Sequence, residues 1–270
     1  MKLNVVLRTC DKKSIQTNRI YSKEECIITC ANSLQKSLED CNFNYKLHVI
    51  DDASSEVTRK NLKNILNASF DFLDPRDESN LNSKQKSRFS VQVQYKYVKQ
   101  LPEEDLVYLV EDDYLHYKDS IKNMLNAWEY FSLLFPRNTI GIFPQDFNQL
   151  YFHPQNAFNS TYVENCMVLP GPERYFRTTW FTHESFMVPV SLILKYESEF
   201  NKLMNIGTED GLWEGNTISN VWQKKDVIML MPLGTFAIHL GCIKDISFFI
   251  KNWKETYEEN KIKENYEPRT

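Results

Sequence analysis

The stretch Leu106-Val107-Tyr108-Leu109-Val110-Glu111-Asp112-Asp113-Tyr114 decides the fold. Five apolar residues in succession, rich in β-branched and aromatic types, describe a strand buried on both faces. Three carboxylates follow with no turn residue between them. An unpaired buried charge costs several kcal/mol or shifts its pKa, so the acidic triplet belongs at the carboxyl end of the strand, where it leaves the core. In open α/β sheets that edge is where ligands bind. Closely spaced oxygen ligands suit Mg²⁺ or Mn²⁺, which take one or two carboxylates and complete their shell with substrate phosphates. A solvated acidic loop after a core strand is the plain alternative, and the flanking sequence decides between the two.

On the N-terminal side, Asn4 to Thr9 reads as a first strand, followed by a polar loop from Cys10 to Ser22. From Lys23 to about Asp40, Cys26, Ile27, Cys30, Ala31, Leu34 and Leu38 recur at helical spacing. Ser22 with Glu25 three residues on forms a capping-box pattern. Tyr45 to Ile50 is a second strand, and it too runs into carboxylates, Asp51-Asp52, before Ala53-Ser54-Ser55. Ser54 or Ser55 opens a helix with Val57, Leu62, Ile65 and Leu66 on its apolar side. Strand, helix, strand, helix is the pattern of a parallel sheet with right-handed crossovers. Phe70 to Leu73 supplies a third strand. Ser90 to Val98 alternates like a strand, yet lies too near Leu106 for a parallel crossover of a dozen residues. We read it as helix, with an antiparallel hairpin strand as the competing reading.

On the C-terminal side, Asp119 to Leu134 is helical, with Ile121, Met124, Leu125, Trp128, Phe131 and Leu134 at spacings of three and four and Pro136 closing it. Thr139 to Phe143 is a short strand. From Pro144 to Tyr175 periodicity fails, which reads as an irregular, aromatic-lined insertion of the kind that forms lids or binding loops. Extended character returns at Thr178 to Phe181, Ser191 to Met204 reads as helix, and Val227 to Met231 as the last clear strand. Phe236 to Gly241 follows it. A C-terminal helix is expected from Asp245, with a charged, frayed end after Tyr257.

The chain has 270 residues, 42% hydrophobic and 25% charged, which suits one large α/β domain. A net charge of −4 gives no basic face for nucleic acid. No stretch approaches the roughly 20 apolar residues of a membrane span, and Met1 to Thr9 lacks a signal-peptide cleavage pattern. The expectation is a soluble, cytoplasmic protein, with its oligomeric state left open. Its six cysteines lack paired CxxC spacing, which argues against zinc and for reduced thiols.

Two strand ends carrying carboxylates resemble the nucleotide-sugar-binding half of GT-A glycosyltransferases, such as those of family 2. The likeness rests on four segments. NVVLRTCDK (4–12) is similar to the opening strand whose loop holds the base. HVIDDAS (48–54) resembles the common VDDGS segment, with Ala53 in the place of glycine. LVYLVEDDYL (106–115) resembles the metal-binding DxD element in its EDD form. TEDGLW (208–213) is similar to the later ED motif of inverting members.

The resemblance implies a single GT-A domain over 1–270: a nucleotide-sugar half at about 1–115, an acceptor and catalytic half at about 116–244, and a C-terminal helix and tail at 245–270. It implies Mn²⁺ or Mg²⁺, a nucleoside-diphosphate-sugar donor, and a saccharide or glycan acceptor. Asp113 would bind the metal, with His239 as an additional ligand. Glu111 and Asp112 would touch ribose and sugar, and Thr9, Asp11, Asp51 and Asp52 would serve the nucleotide. Asp210 would be the general base, with Glu209 orienting the site, and Arg177, with Arg174 nearby, would reach the diphosphate. His183 and His153 are weaker metal candidates, and His48, inside a strand, is expected to be structural. A sugar nucleotidyltransferase is the rival, but it calls for a glycine-rich phosphate loop after the first strand, and none follows Thr9. A carbohydrate-binding relative without turnover is the non-enzyme alternative.

Overall fold

The computed structural model describes residues 1–12, 21–77, 79, 81, 83–146, 166–204, 217–241 and 252–262. The N-terminal pattern folds as the sequence indicates. β1 (Leu3–Thr9), α1 (Lys23–Asp40), β2 (Tyr45–Asp52), α2 (Glu56–Ile65) and β3 (Ser69–Leu73) follow one another, and β1 pairs in parallel with β2 and with β4 (Leu106–Glu111). Ser22 caps α1 by accepting from the Glu25 amide, and Ser55 caps α2 by accepting from the Thr58 amide. Ser90 to Val98 is helical, within α3 (Ser83–Val98), where Val91, Tyr95 and Val98 share one buried face.

The alternation along β4 separates two layers. Leu106, Tyr108 and Val110 pack with residues of α1, α2 and α4 (Ser120–Leu134). Val107 and Leu109 pack with α3, α5 (Val190–Lys195), α6 (Glu197–Leu203) and α7 (Ser219–Trp222). The central sheet is β3-β2-β1-β4-β9-β6-β10-β8-β7, completed by β6 (Thr139–Ile142), β7 (Val168–Pro170), β8 (Tyr175–Thr178), β9 (Phe186–Pro189) and β10 (Val227–Pro232). Among the described strands of this sheet, β8 and β9 alone run against the others. The molecule is thus α/β, with a mixed, mostly parallel sheet flanked by helices.

Several local readings change. Of the expected insertion, residues 147–165 lie outside the described residues; nearest Tyr175, β7 and β8 form a hairpin whose turn is closed by Gly171 N–H donating to the Arg174 carbonyl at 2.9 Å. β9 escapes sequence reading because its apolar run passes straight into α5 with no turn between them. The helix read from Ser191 to Met204 is two, broken at Tyr196, whose hydroxyl donates to Asp226 at 2.7 Å. Val57 and Leu134, read as core, are 59% and 51% exposed at the ends of their helices.

A second, two-stranded ribbon pairs β5 (Tyr114–His116) antiparallel to β11 (Ala237–His239). α1 packs against this ribbon, and α8 (Trp253–Asn260) packs on α1 through Tyr257, which stacks on Tyr21 with ring centroids 3.8 Å apart. The expected helix start at Asp245 lies outside the described residues, as does the tail after Ile262. No helix among the described residues is long and apolar enough to cross a membrane.

Candidate functional site

Parallel register sets Thr9 opposite Asp51 and Arg8 opposite Glu111, so β1, β2 and β4 end at one level. At the β1–β2 end, Asp51 is fully buried and accepts from Thr9 Oγ1 at 2.9 Å, Ser54 N at 3.1 Å and Arg59 Nε at 2.7 Å. Thr9 is therefore turned inward, holding Asp51. Asp52 faces the other side of the sheet and takes two bonds from Arg76, at 2.6 and 3.0 Å, while that guanidinium lies over Phe89. Asp11 accepts from Ser55 N at 2.9 Å and Thr58 Oγ1 at 2.7 Å. Burial would raise its carboxyl, but these hydrogen bonds win and hold it below the usual range. Ala53 adopts φ 56°, so the segment takes the left-handed turn that glycine would favour, despite its side chain.

At the end of β4 each carboxylate has a partner. Arg8, buried, lies 3.4 Å from Glu111 and ion-pairs with Glu184, which also pairs with Arg88. Two guanidinium and two carboxylate groups thus balance inside the protein. The Glu111 amide donates to Ser185 Oγ at 3.0 Å, and its side chain keeps 29% of its surface accessible, so a ligand can reach it. Burial, opposed by Arg8 and reinforced by Glu184 and Asp113, pushes Glu111 up to about 7. Asp112 accepts from Cys10 N at 2.8 Å and pairs with Lys23, the first residue of α1.

Asp113 is tied to the ribbon twice. Its carbonyl accepts from Leu240 N at 2.8 Å, and its Oδ1 stands 3.2 Å from His239 Nε2. Tyr114 stacks on the His239 ring, with centroids 5.0 Å apart. The His183 ring lies 5.1 Å from that of His239; burial and His239 push it down to about 3, so it stays neutral near pH 7. Two ligand atoms at right angles around Mn²⁺ or Mg²⁺, each at roughly 2.1 Å, stand about 3.0 Å apart. The Asp113–His239 pair meets that spacing and offers one oxygen and one nitrogen. Among the described residues no group of three or more His, Cys, Asp or Glu side chains converges on one point. The pair therefore fits an ion that takes its remaining ligands from water and phosphate.

The other expected residues lie elsewhere. Arg177 is buried on β8, four strands from β4 in the sheet order. Arg174 donates to the Gly234 carbonyl at 2.6 Å and lies over Phe236, which fastens the turn between β10 and β11. His48 is structural: it sits 2.8 Å from Ser69 Oγ and stacks on Tyr97. Glu209 and Asp210, with Thr208 and Trp213, lie outside the described residues, as does His153. Sequence reasoning did not single out Arg8, Lys23, Arg88, Gln145 or Glu184. The one available signal was Thr182-His183-Glu184-Ser185, a polar run between apolar ones at the mouth of a hidden strand.

No family model matches the sequence, and no curated protein is significantly similar to it. Among solved structures, an active-site mutant of LgtC is similar at 15% identity and a TM-score of 0.45, over 84% of this chain and 72% of that one. HddC from Yersinia pseudotuberculosis is similar at 10% identity and a TM-score of 0.48, over 95% and 98% of the two chains. A 4-diphosphocytidyl-2C-methyl-D-erythritol synthase from Anaerococcus prevotii is similar at 8% identity and a TM-score of 0.45, over 96% of each. At these values a likeness assigns no activity, and the functional reading rests on the residues of the site.

Proposed function

We propose that this chain is a transferase that moves a sugar from a nucleoside-diphosphate sugar to an acceptor hydroxyl of a saccharide or glycan. The observation that supports it best is the buried Asp113–His239 pair, with donor atoms 3.2 Å apart, beside a charge-balanced carboxylate cluster at the carboxyl ends of β1 and β4. Asp113 and His239 would hold Mn²⁺ or Mg²⁺. When bound, such an ion neutralises the charge that develops on a departing diphosphate.

The chain's own groups have separate tasks in this reading. Thr9, Asp11 and Asp51 keep the β1–β2 end in shape, and Asp52 meets the nucleoside together with Arg76. Glu111 and Asp112 face ribose and sugar. Asp210 as general base rests on the sequence pattern, and Arg177, buried four strands from β4, takes no part in this reading. In the transfer the acceptor oxygen bonds to the anomeric carbon as the bond from that carbon to the diphosphate breaks. Asp210, oriented by Glu209, takes the hydroxyl proton, and the configuration inverts.

Calorimetric titration of nucleoside diphosphates with Mn²⁺ tests the site. Wild type is expected to bind one of them, and Asp113→Ala to lose that binding while remaining folded. Equal affinity in the variant overturns the assignment. Asp210→Asn should bind donor normally and lose about 10²–10⁴-fold in kcat. NMR of the product should show the configuration opposite to that of the donor.

A further inference from the structure

The loop after β6, Pro144-Gln145-Asp146, carries a polar group that the proposed reaction does not use. Gln145 is fully buried, yet among the described residues its Nε2 has no hydrogen-bond partner. The orientation of the amide is fixed by its other end, because Oε1 accepts from the His239 backbone N–H at 3.3 Å. A flip would set two donors against each other. The free N–H groups therefore stay beside His239. A buried donor left unmet is costly, and such a group calls for an explanation.

Direction in the sheet says what would meet it. The β1–β2 end lies on one side of β4, and β6 lies on the other, beyond β9. A nucleotide at β1–β2 with its diphosphate at Asp113 and His239 leaves the sugar to extend towards β6. We infer that the Gln145 carboxamide donates a hydrogen bond to a hydroxyl oxygen of the donor's sugar, making it a specificity-determining residue. The inference rests on the nucleotide-sugar reading of the site. It separates recognition of the sugar from recognition of the nucleotide, which this reading puts at the β1–β2 end on the other side of β4.

The test compares matched probes on the full chain with Mn²⁺: UDP against UDP-glucose and UDP-N-acetylglucosamine, and GDP against GDP-mannose. For the pair that wild type binds best, the ratio of the two dissociation constants is measured in wild type, Gln145→Met and Gln145→Glu. The glutamate variant keeps an oxygen for the His239 N–H and replaces the donors with a second, ionisable oxygen, whereas the methionine variant removes both without adding charge. Both variants are expected to shift the ratio against the intact sugar nucleotide by about tenfold, the usual scale of one such bond. An unchanged ratio in both makes Gln145 a structural amide and overturns the inference while the nucleotide reading stands. Failure of wild type to bind any probe overturns the nucleotide reading and this inference with it.

Discussion

Ala53 shows how much one backbone angle can carry. Its φ of 56° places a β-carbon where glycine is at ease. The left-handed conformation costs an alanine about 1–2 kcal/mol, and glycine gives back roughly 0.4–1 kcal/mol through the unfolded chain. Ala53→Gly is therefore expected to stabilise the protein by about 0.5–1 kcal/mol, and Ala53→Val to destabilise it, both read from urea midpoints. Glu184 carries a larger effect, because it pairs with both Arg8 and Arg88. Glu184→Gln leaves buried guanidinium charge uncompensated, and a loss of about 3–5 kcal/mol is expected in the same measurement. These two residues differ in legibility. The carboxylates after β2 and β4 announce themselves, since charge cannot follow five core residues without a reason. Arg8 and Arg88 look like ordinary surface arginines, and their partner is 176 and 96 residues away.

Among the elements, β5 carries the clearest pH dependence. His116 Nδ1 faces the Tyr114 carbonyl at 3.0 Å, so Nδ1 bears the proton and Nε2 accepts from the Tyr108 hydroxyl at 2.9 Å. Burial pushes His116 down to about 3, from an ordinary value near 6.5. The folded state keeps the ring neutral while the unfolded chain protonates it. Its contribution is present above about pH 6.5 and is lost as pH falls towards 3, at no more than about 1.4 kcal/mol per pH unit. His116→Gln should therefore show a shallower fall in urea midpoint between pH 7 and pH 5 than wild type. Elements were legible where both length and boundaries marked them. α1 spans 18 residues with a capped start and a long apolar stripe, whereas β5 has 3 residues and β9, as short as the legible β6, runs into α5 with no turn to set it apart. The break between α5 and α6 was hidden for another reason: the tertiary bond from Tyr196 to Asp226 fixes it, and local propensity does not.

For the whole molecule, the order of strands matters more than their number. The sheet type followed from the N-terminal alternation of strands and helices, because each crossover must be right-handed. The reversal at β9 did not follow, since no local signal says that a strand will enter between two earlier or later ones. That reversal sets β9 between β4 and β6 and delivers Glu184 and Ser185 to the end of β4 from the opposite direction. It also dictates a sequence of events during synthesis. Until residues 184–189 leave the ribosome, the central strand β4 has one open edge, and Arg8 and Arg88 sit without their shared carboxylate. Translation at about 5–20 residues per second makes the interval between Arg88 and Glu184 roughly 5–20 s. A nascent chain in that interval presents an unpaired, strongly apolar strand edge to its surroundings, the kind of template that recruits other chains. The half of the protein made first is thus the half that cannot finish alone, and its dependence on holdase chaperones should end abruptly when β9 is added.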